Sequence, residues 1–93
     1  MAVPVRVPAQ LRQLTNGASE VTVEGSTVGE ALKALDAAHA GFSERLFDET
    51  GQLRRFVNVF LADEDVRFLQ GLDTPVAPGQ TLSIVPAVAG GAR

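Results

Sequence analysis

The stretch that decides the fold is TVGEALKALDAAHAG, residues 27–41. Thr27 and Glu30 have the spacing of a capping box, in which the hydroxyl accepts a backbone N–H and the carboxylate reaches back. Apolar residues then recur at helical spacing and form one stripe: Val28, Ala31, Leu32, Leu35 and Ala38. Gly41 is well placed as the left-handed residue that ends the helix. We therefore expect a helix of about 12 residues that buries one face.

Two strand patterns precede this helix. Valine occupies alternate positions from 3 to 7, and residues 20–24 alternate again between valine and polar residues. Each pattern predicts a strand with one buried face. Pro4 has no N–H to donate to a ladder, which conflicts with a central position for the first strand.

Further strand patterns follow the helix. Residues 56–61 alternate between two faces, and the aliphatic face is the natural one to lie under the helix. Residues 66–68 are expected to begin a short return strand, and residues 81–85 form the last strand. The free face, the side of the sheet turned away from the helix, is predicted to carry Phe56, Asn58, Phe60, Ser83 and Val85. Asn58 at its centre suggests water or a partner there.

The resulting order is β-β-α-β-β-β. So few elements can bury one long helix only by laying it across a single mixed sheet. A right-handed crossover then places the last strand beside the first, in the middle of the sheet. The prediction is an α+β domain with a four- to five-stranded sheet over residues 1–86, followed by a flexible tail over residues 87–93.

Composition excludes several classes of function. The 93 residues correspond to one domain, and the formal net charge of −3 with a single lysine, Lys33, argues against nucleic acid as a partner. No cysteine is present, and His39 is the one histidine, so thiolate catalysis and multi-histidine metal sites are excluded. No signal peptide or membrane segment is recognisable in the sequence. We expect a cytoplasmic protein without a metal site or a membrane partner.

This element order, followed by Gly90-Gly91, resembles the β-grasp family of ubiquitin-like proteins. Within that family the chain is most similar to the prokaryotic sulfur carriers of the MoaD and ThiS type. Residues 55–59, 63–67 and 86–91 are closest to the CysO-type carriers of cysteine biosynthesis in actinobacteria. The resemblance covers nearly the whole chain.

The resemblance implies a carrier and not an enzyme. In that family an E1-like enzyme uses ATP to adenylate the carboxylate of the terminal glycine, sulfur replaces the activated oxygen, and a biosynthetic enzyme accepts the sulfide. Carried over, Gly91 is the attachment position, Val88, Ala89 and Gly90 are the tail residues to be recognised, and no cofactor is bound. The sequence is consistent with this chemistry. A chain without cysteine cannot hold a persulfide, so any transferable sulfur must be on a carboxylate. The two glycines let the backbone pass through a narrow channel.

Two features of the sequence allow more than one interpretation. Ala92 and Arg93 follow Gly91, so either a peptidase cuts between Gly91 and Ala92 and exposes the carboxylate, or the carrier function is lost, or the two residues are not native. We favour the cut. The apolar residues of the free face form either a second small core under a loop or a partner-docking patch, which would consist of Phe56, Asn58, Phe60 and Val85.

The pathway and even the class of function have alternatives. The cysteine pathway is favoured, but carriers for molybdopterin, thiamin or a thio-containing secondary metabolite use the same chemistry. A ubiquitin-like modifier joined through Gly91 to a lysine of a target is an alternative of another class. A plain interaction domain with an inert tail is the third.

Overall fold

The computed structural model describes residues 2–86. Its strands and α-helices are β1 (Ala2–Arg6), β2 (Glu20–Glu24), α1 (Val28–Ala38), α2 (Phe42–Leu46), β3 (Val57–Leu61), β4 (Glu64–Asp65) and β5 (Leu82–Pro86). Short 3-10 helices span Ala9–Thr15, Val66–Phe68 and Gly71–Asp73. The predicted order of strands and main helix is confirmed. Among these residues, no helix combines the length and the apolar character that crossing a membrane would require.

The five strands form one mixed sheet in the order β2-β1-β5-β3-β4. β1 and β5 run parallel, with Val5 opposite Leu82, and the other neighbouring pairs are antiparallel. The prediction that the last strand lies beside the first, in the middle of the sheet, is confirmed. The chain therefore leaves the described domain from a central strand and not from an edge.

The pairing pattern of β1 explains how a proline fits inside this sheet. The N–H of Val7 donates to Ser19 O at 2.9 Å, on the β2 side. Since N–H directions alternate along a strand, the nitrogen of Pro4 faces β5 instead. The pairing of β1 with β5 begins only at Val5. The missing donor of Pro4 therefore falls where no ladder partner is present, and the expected conflict does not arise.

Helix α1 begins at the predicted cap. Thr27 Oγ1 accepts a hydrogen bond from Glu30 N at 3.2 Å, as the capping-box spacing indicates. The Glu30 carboxylate reaches one residue further back than expected, because its Oε1 accepts from both N and Oγ of Ser26 at 2.9 and 2.7 Å. The start of the helix is thus fixed by two side chains that satisfy donors on both sides of the cap.

The C-terminal end of α1 differs from the prediction in two respects. Ala38 is exposed and lies outside the buried stripe. The C-cap is His39, whose N–H donates to Leu35 O at 2.8 Å. Gly41 has the predicted positive φ, 110°, but it lies beyond this cap and serves as the N-cap of α2.

The core lies between α1 and the sheet. The rest of the helical stripe and the inward positions of β1 and β3 are buried as predicted: Val28, Ala31, Leu32, Leu35, Val3, Val5, Val57, Val59 and Leu61. Helix α2 adds Phe42, a fully buried side chain that the sequence analysis did not assign to the core. It follows a glycine and an irregular stretch, so no periodic pattern marks it.

The prediction that residues 66–68 begin a return strand is wrong. Strand β4 contains only Glu64 and Asp65, and the chain then forms a 3-10 helix at Val66–Phe68. The cause is local, because Asp65 Oδ1 accepts a hydrogen bond from Arg67 N at 2.8 Å. An aspartate that bonds to the backbone two residues on favours a turn over a ladder.

Candidate functional site

The free face of the sheet is formed by the outward residues of β3 and β5. Asn58 lies directly opposite Val85, and Phe60 lies opposite Ser83, in the antiparallel register of the two strands. The alternating residues Val57 and Val59 are buried on the helix side. The strand faces predicted from alternation are therefore confirmed for these four outward residues.

Two apolar side chains of the predicted docking patch are well exposed. Phe56 is 62% exposed and Val85 is 46% exposed, whereas Asn58 and Phe60 are half-buried. Phe56 was predicted as the first residue of the strand, but it lies in the turn just before β3, which starts one residue later, at Val57. The exposure of Phe56 and Val85 does not fit a second small core. The docking role of the four residues stays a prediction.

Arg67 lies at the polar centre of this face and is not among the predicted site residues. Its Nη1 donates to Asn58 Oδ1 at 2.9 Å, and its Nη2 donates to the backbone oxygen of Arg54 at 2.6 Å. The Asn58 side chain thus meets a partner within the chain. One signal was available in the sequence, because Asp65 two residues before Arg67 indicates a turn, which brings the chain back toward β3.

The base of the tail is fixed by the centre of the sheet. Pro86, the last described residue, lies opposite Val57 at the end of β5. The predicted tail, residues 87–93, lies outside the described residues. It contains the attachment position Gly91, the recognition residues Val88, Ala89 and Gly90, and the expected cleavage site between Gly91 and Ala92. Their roles remain predictions that rest on the sequence.

The acidic run at residues 63–65 forms a turn at the surface. Asp63 and Glu64 are exposed, and the Asp65 carboxylate bonds to the backbone of Arg67. Within residues 2–86, no group of three or more histidine, cysteine, aspartate or glutamate side chains is arranged to hold a metal ion.

A broad groove of about 1010 Å³ lies on the helical side of the domain. Its lining includes apolar groups and charges of both signs: Lys33, Glu44, Phe47, Asp48, Arg54 and Leu72. None of the predicted site residues lines it. Arg54 connects this side to the free face, because its Nε donates to Glu44 O at 3.1 Å while its own carbonyl accepts from Arg67.

Three carboxylates around the helices have lowered pKa values. The backbone N–H of Ser26 is the main cause for Glu30, and the backbone N–H of Ser43 is the main cause for Asp36. The hydroxyl of Thr50 is the first cause for Asp48. Each donor stabilises the charged form of the carboxylate. These groups hold turns and helix starts, and they lie away from the free face.

Comparison with known proteins places this architecture in a family. The model of the ThiS family matches residues 5–91. The sulfur carrier protein CysO of Mycobacterium tuberculosis (strain ATCC 25618 / H37Rv) is 47% identical over 93 aligned residues, which cover 98% of this chain and 100% of that protein. A chain in the crystal structure of the Amycolatopsis orientalis BexX/CysO complex is 46% identical, with a TM-score of 0.89 over 94% of this chain and 97% of that one.

A relative that is named as a protein modifier also matches. Small archaeal modifier protein 3 of Haloferax volcanii is 35% identical over 68 residues, 73% of each chain. The CysO proteins match over more of the chain and at higher identity, and their structures share the helix-on-sheet fold described above. The chain therefore belongs to the ThiS family of ubiquitin-like sulfur carriers.

Proposed function

We propose that this protein carries sulfur as a thiocarboxylate on Gly91, after the bond between Gly91 and Ala92 has been cut. The observation that carries the proposal is the extent of the family match, which ends at residue 91 and leaves the last two residues outside. In the sequence, the Gly-Gly pair begins four residues after Pro86, which ends β5, the central strand of the sheet. The region that the family model matches and the reactive position proposed here thus end at the same residue.

The chemistry takes place on main-chain atoms. An E1-like partner joins the Gly91 carboxylate to the AMP part of ATP, and pyrophosphate leaves. A sulfur nucleophile supplied by the partner then attacks the acyl carbon, and AMP leaves with the carboxylate oxygen still attached to its phosphorus. Because the chain has no cysteine, it supplies no sulfur nucleophile of its own. In this proposal the chain is a substrate of its partner enzymes and not a catalyst.

The tail must reach into the partner's active site. Residues 87–91 span roughly 16 Å when extended, which is enough to cross a channel into a buried site. Gly90 and Gly91 have no Cβ, so the backbone can approach a nucleotide closely. Val88 is the one sizeable side chain available for recognition within this segment, with Ala89 beside it.

The partner enzymes bind the domain as well as the tail in this proposal. The exposed Phe56 and Val85 flank the Asn58 side chain near the end of β5, which leads into the tail. A partner whose surface covers Phe56 and Val85 would therefore have the tail next to the surface that it binds. The partners are an E1-like adenylating and sulfurtransferase enzyme, a sulfur-accepting biosynthetic enzyme and a peptidase that trims the C-terminus. Because the first step consumes ATP, the expected location is the cytoplasm.

Cysteine biosynthesis is the favoured pathway because the CysO proteins are 47% identical to this chain. Molybdopterin, thiamin and secondary-metabolite pathways remain alternatives with the same carrier chemistry. A modifier function is a second candidate, favoured by the similarity to the archaeal modifier protein. An interaction domain with an inert tail is the remaining alternative. The product on Gly91 distinguishes the first two, since a carrier gives a thiocarboxylate and a modifier gives an isopeptide.

Intact-mass measurement tests the proposal. A version ending at Gly91 is incubated with ATP, a sulfide source and the cognate E1-like enzyme, beside the full-length chain and a version ending at Gly90. We expect the Gly91-ending chain to gain the mass of one oxygen-to-sulfur exchange, and the full-length chain to remain unchanged until it is trimmed. The same gain on the Gly90-ending chain would contradict the assignment of Gly91, and no gain on any version would overturn the carrier function.

A further inference from the structure

Arg67 joins three separate segments on the free face. Its backbone N–H bonds to Asp65 at the end of β4, its Nη1 bonds to Asn58 on β3, and its Nη2 bonds to the carbonyl of Arg54 before β3. Two different nitrogens of the rigid guanidinium make the two side-chain contacts, whereas lysine has a single terminal nitrogen on a flexible stem. The arrangement therefore depends on the planar fork of an arginine.

The bonds made by Arg67 fix the orientation of the Asn58 amide. A guanidinium has donors and no acceptor, so Asn58 must present its oxygen to Arg67. The amide nitrogen of Asn58 then points elsewhere, and it has no hydrogen-bond partner among residues 2–86. Three of the five guanidinium N–H groups are likewise left over once the two side-chain bonds are counted. The pair presents a cluster of donors.

Exposed apolar side chains lie beside this cluster, and the nearby Asp65 carboxylate bonds to the backbone N–H of Arg67 and not to its guanidinium. Val85 lies directly opposite Asn58, and Phe56 follows two residues after the carbonyl that Arg67 binds. Both of these side chains are exposed. Within the described part of the chain, no carboxylate forms an ion pair with the Arg67 guanidinium. A charged donor group framed by exposed apolar side chains is complementary to a carboxylate framed by an apolar surface.

We propose that the Asn58–Arg67 pair recognises an aspartate or glutamate side chain on the E1-like enzyme that activates Gly91. This inference rests on the proposed function and adds the chemistry of the docking contact. Val85 is six residues before Gly91, and six extended residues span roughly 20 Å. The recognised carboxylate must therefore lie within about that distance of the enzyme's nucleotide site.

The test compares adenylation kinetics of variants made in the Gly91-ending chain. Arg67→Lys retains the positive charge but loses the fork, and Asn58→Asp retains the bond to Arg67 but presents a negative group to the partner. With the cognate E1-like enzyme, we expect KM for the carrier to rise about tenfold or more in both variants while kcat stays the same, since docking and not chemistry is changed. Arg45→Lys is the matched control, because Arg45 is exposed on α2 and its side chain makes no hydrogen bond among residues 2–86.

The outcomes separate this inference from the function it rests on. Failure of the unmodified Gly91-ending chain to be adenylated overturns the proposed function, and the docking contact with it. Normal adenylation with unchanged KM in both variants overturns the docking contact alone, even if thermal unfolding shows a loss of stability. Unchanged adenylation with weaker binding to the sulfur-accepting enzyme would show that the contact belongs to that partner, and would overturn the assignment to the activating enzyme.

Discussion

The Asp36 carboxylate of α1 accepts a hydrogen bond from the backbone N–H of Ser43 in α2, with Oδ1 and N 2.9 Å apart. The first turn of α2 has no cap from its own N-cap residue, because that residue is Gly41. A side chain from the preceding helix therefore supplies the acceptor that a capping serine or aspartate normally provides. This bond ties the two helices together over the core.

The Asp36 bond predicts an acid-sensitive stability. Hydrogen bonding lowers the pKa of Asp36 in the folded state below the value of about 3.9 for an unfolded aspartate. The stabilisation is therefore present above the unfolded value and is lost as pH falls through the folded value. We expect Asp36→Asn to unfold at lower denaturant concentration than the parent at pH 7, with the difference shrinking below about pH 4.

Urea unfolding measured across this pH range checks the prediction. Glu49→Gln is the control, because Glu49 is an exposed carboxylate that makes no hydrogen bond among residues 2–86. A stability difference for Asp36→Asn that remains constant down to the acid end would show that the charge of Asp36 does not contribute.

Gly41 is expected to be the least replaceable of the positive-φ glycines. A Cβ at this position would lie 2.8 Å from Leu14 Cδ2, and φ is 110°. Gly51 also has a positive φ, 87°, but a Cβ there would meet nothing within 4 Å. Both alanine substitutions strain the backbone, at a cost of roughly 1–3 kcal/mol. Only Gly41→Ala adds an overlap with a side chain, so we expect it to cost more than Gly51→Ala.

Thermal unfolding of the two glycine variants measures this difference. Adding Leu14→Ala to Gly41→Ala should make the combined loss smaller than the sum of the single losses, because the overlap disappears. Equal stability of Gly41→Ala and Gly51→Ala would refute the contribution of Leu14.

The cap of α1 gives a prediction with an internal control. Thr27 Oγ1 accepts from Glu30 N, and its loss leaves a helix N–H without this partner. We expect Thr27→Ala to lower the free energy of unfolding by about 1 kcal/mol, whereas Thr27→Ser should remain close to the parent. The comparison is made by chemical denaturation at pH 7, and equal losses in both variants would point to the methyl group instead of the hydroxyl.

Much of the fold could be predicted because its signals are periodic. The capping pair at Thr27 and Glu30, the helical stripe and the alternating strands each have a local physical cause that a sequence reveals. The errors occur where one side chain decides between local conformations. Asp65 changes a predicted strand into a 3-10 helix, and Gly41 belongs to the second helix instead of the first.

The free face of the sheet was only partly predictable for a related reason. Alternation assigns Asn58 and Val85 to the same face, and the register confirms that they are opposite each other. Arg67 escaped prediction because its role depends on a contact across nine residues, set by a turn that the sequence analysis had read as a strand. Long-range polar contacts of this kind leave no periodic pattern.

The position of the docking patch leads to the last prediction. Val85→Asp places a negative charge beside the Asn58–Arg67 pair, at a side chain that is 46% exposed. Thr22→Asp places the same charge on the same sheet face, but on β2, two strands away from β5. We expect only Val85→Asp to raise KM for adenylation of the Gly91-ending chain, by about tenfold, because a partner carboxylate would be repelled there. Steady-state kinetics at two salt concentrations provides the measurement, and added salt should reduce the effect. Equal increases in both variants would indicate a general effect of net charge, and no increase in either would exclude this face from docking.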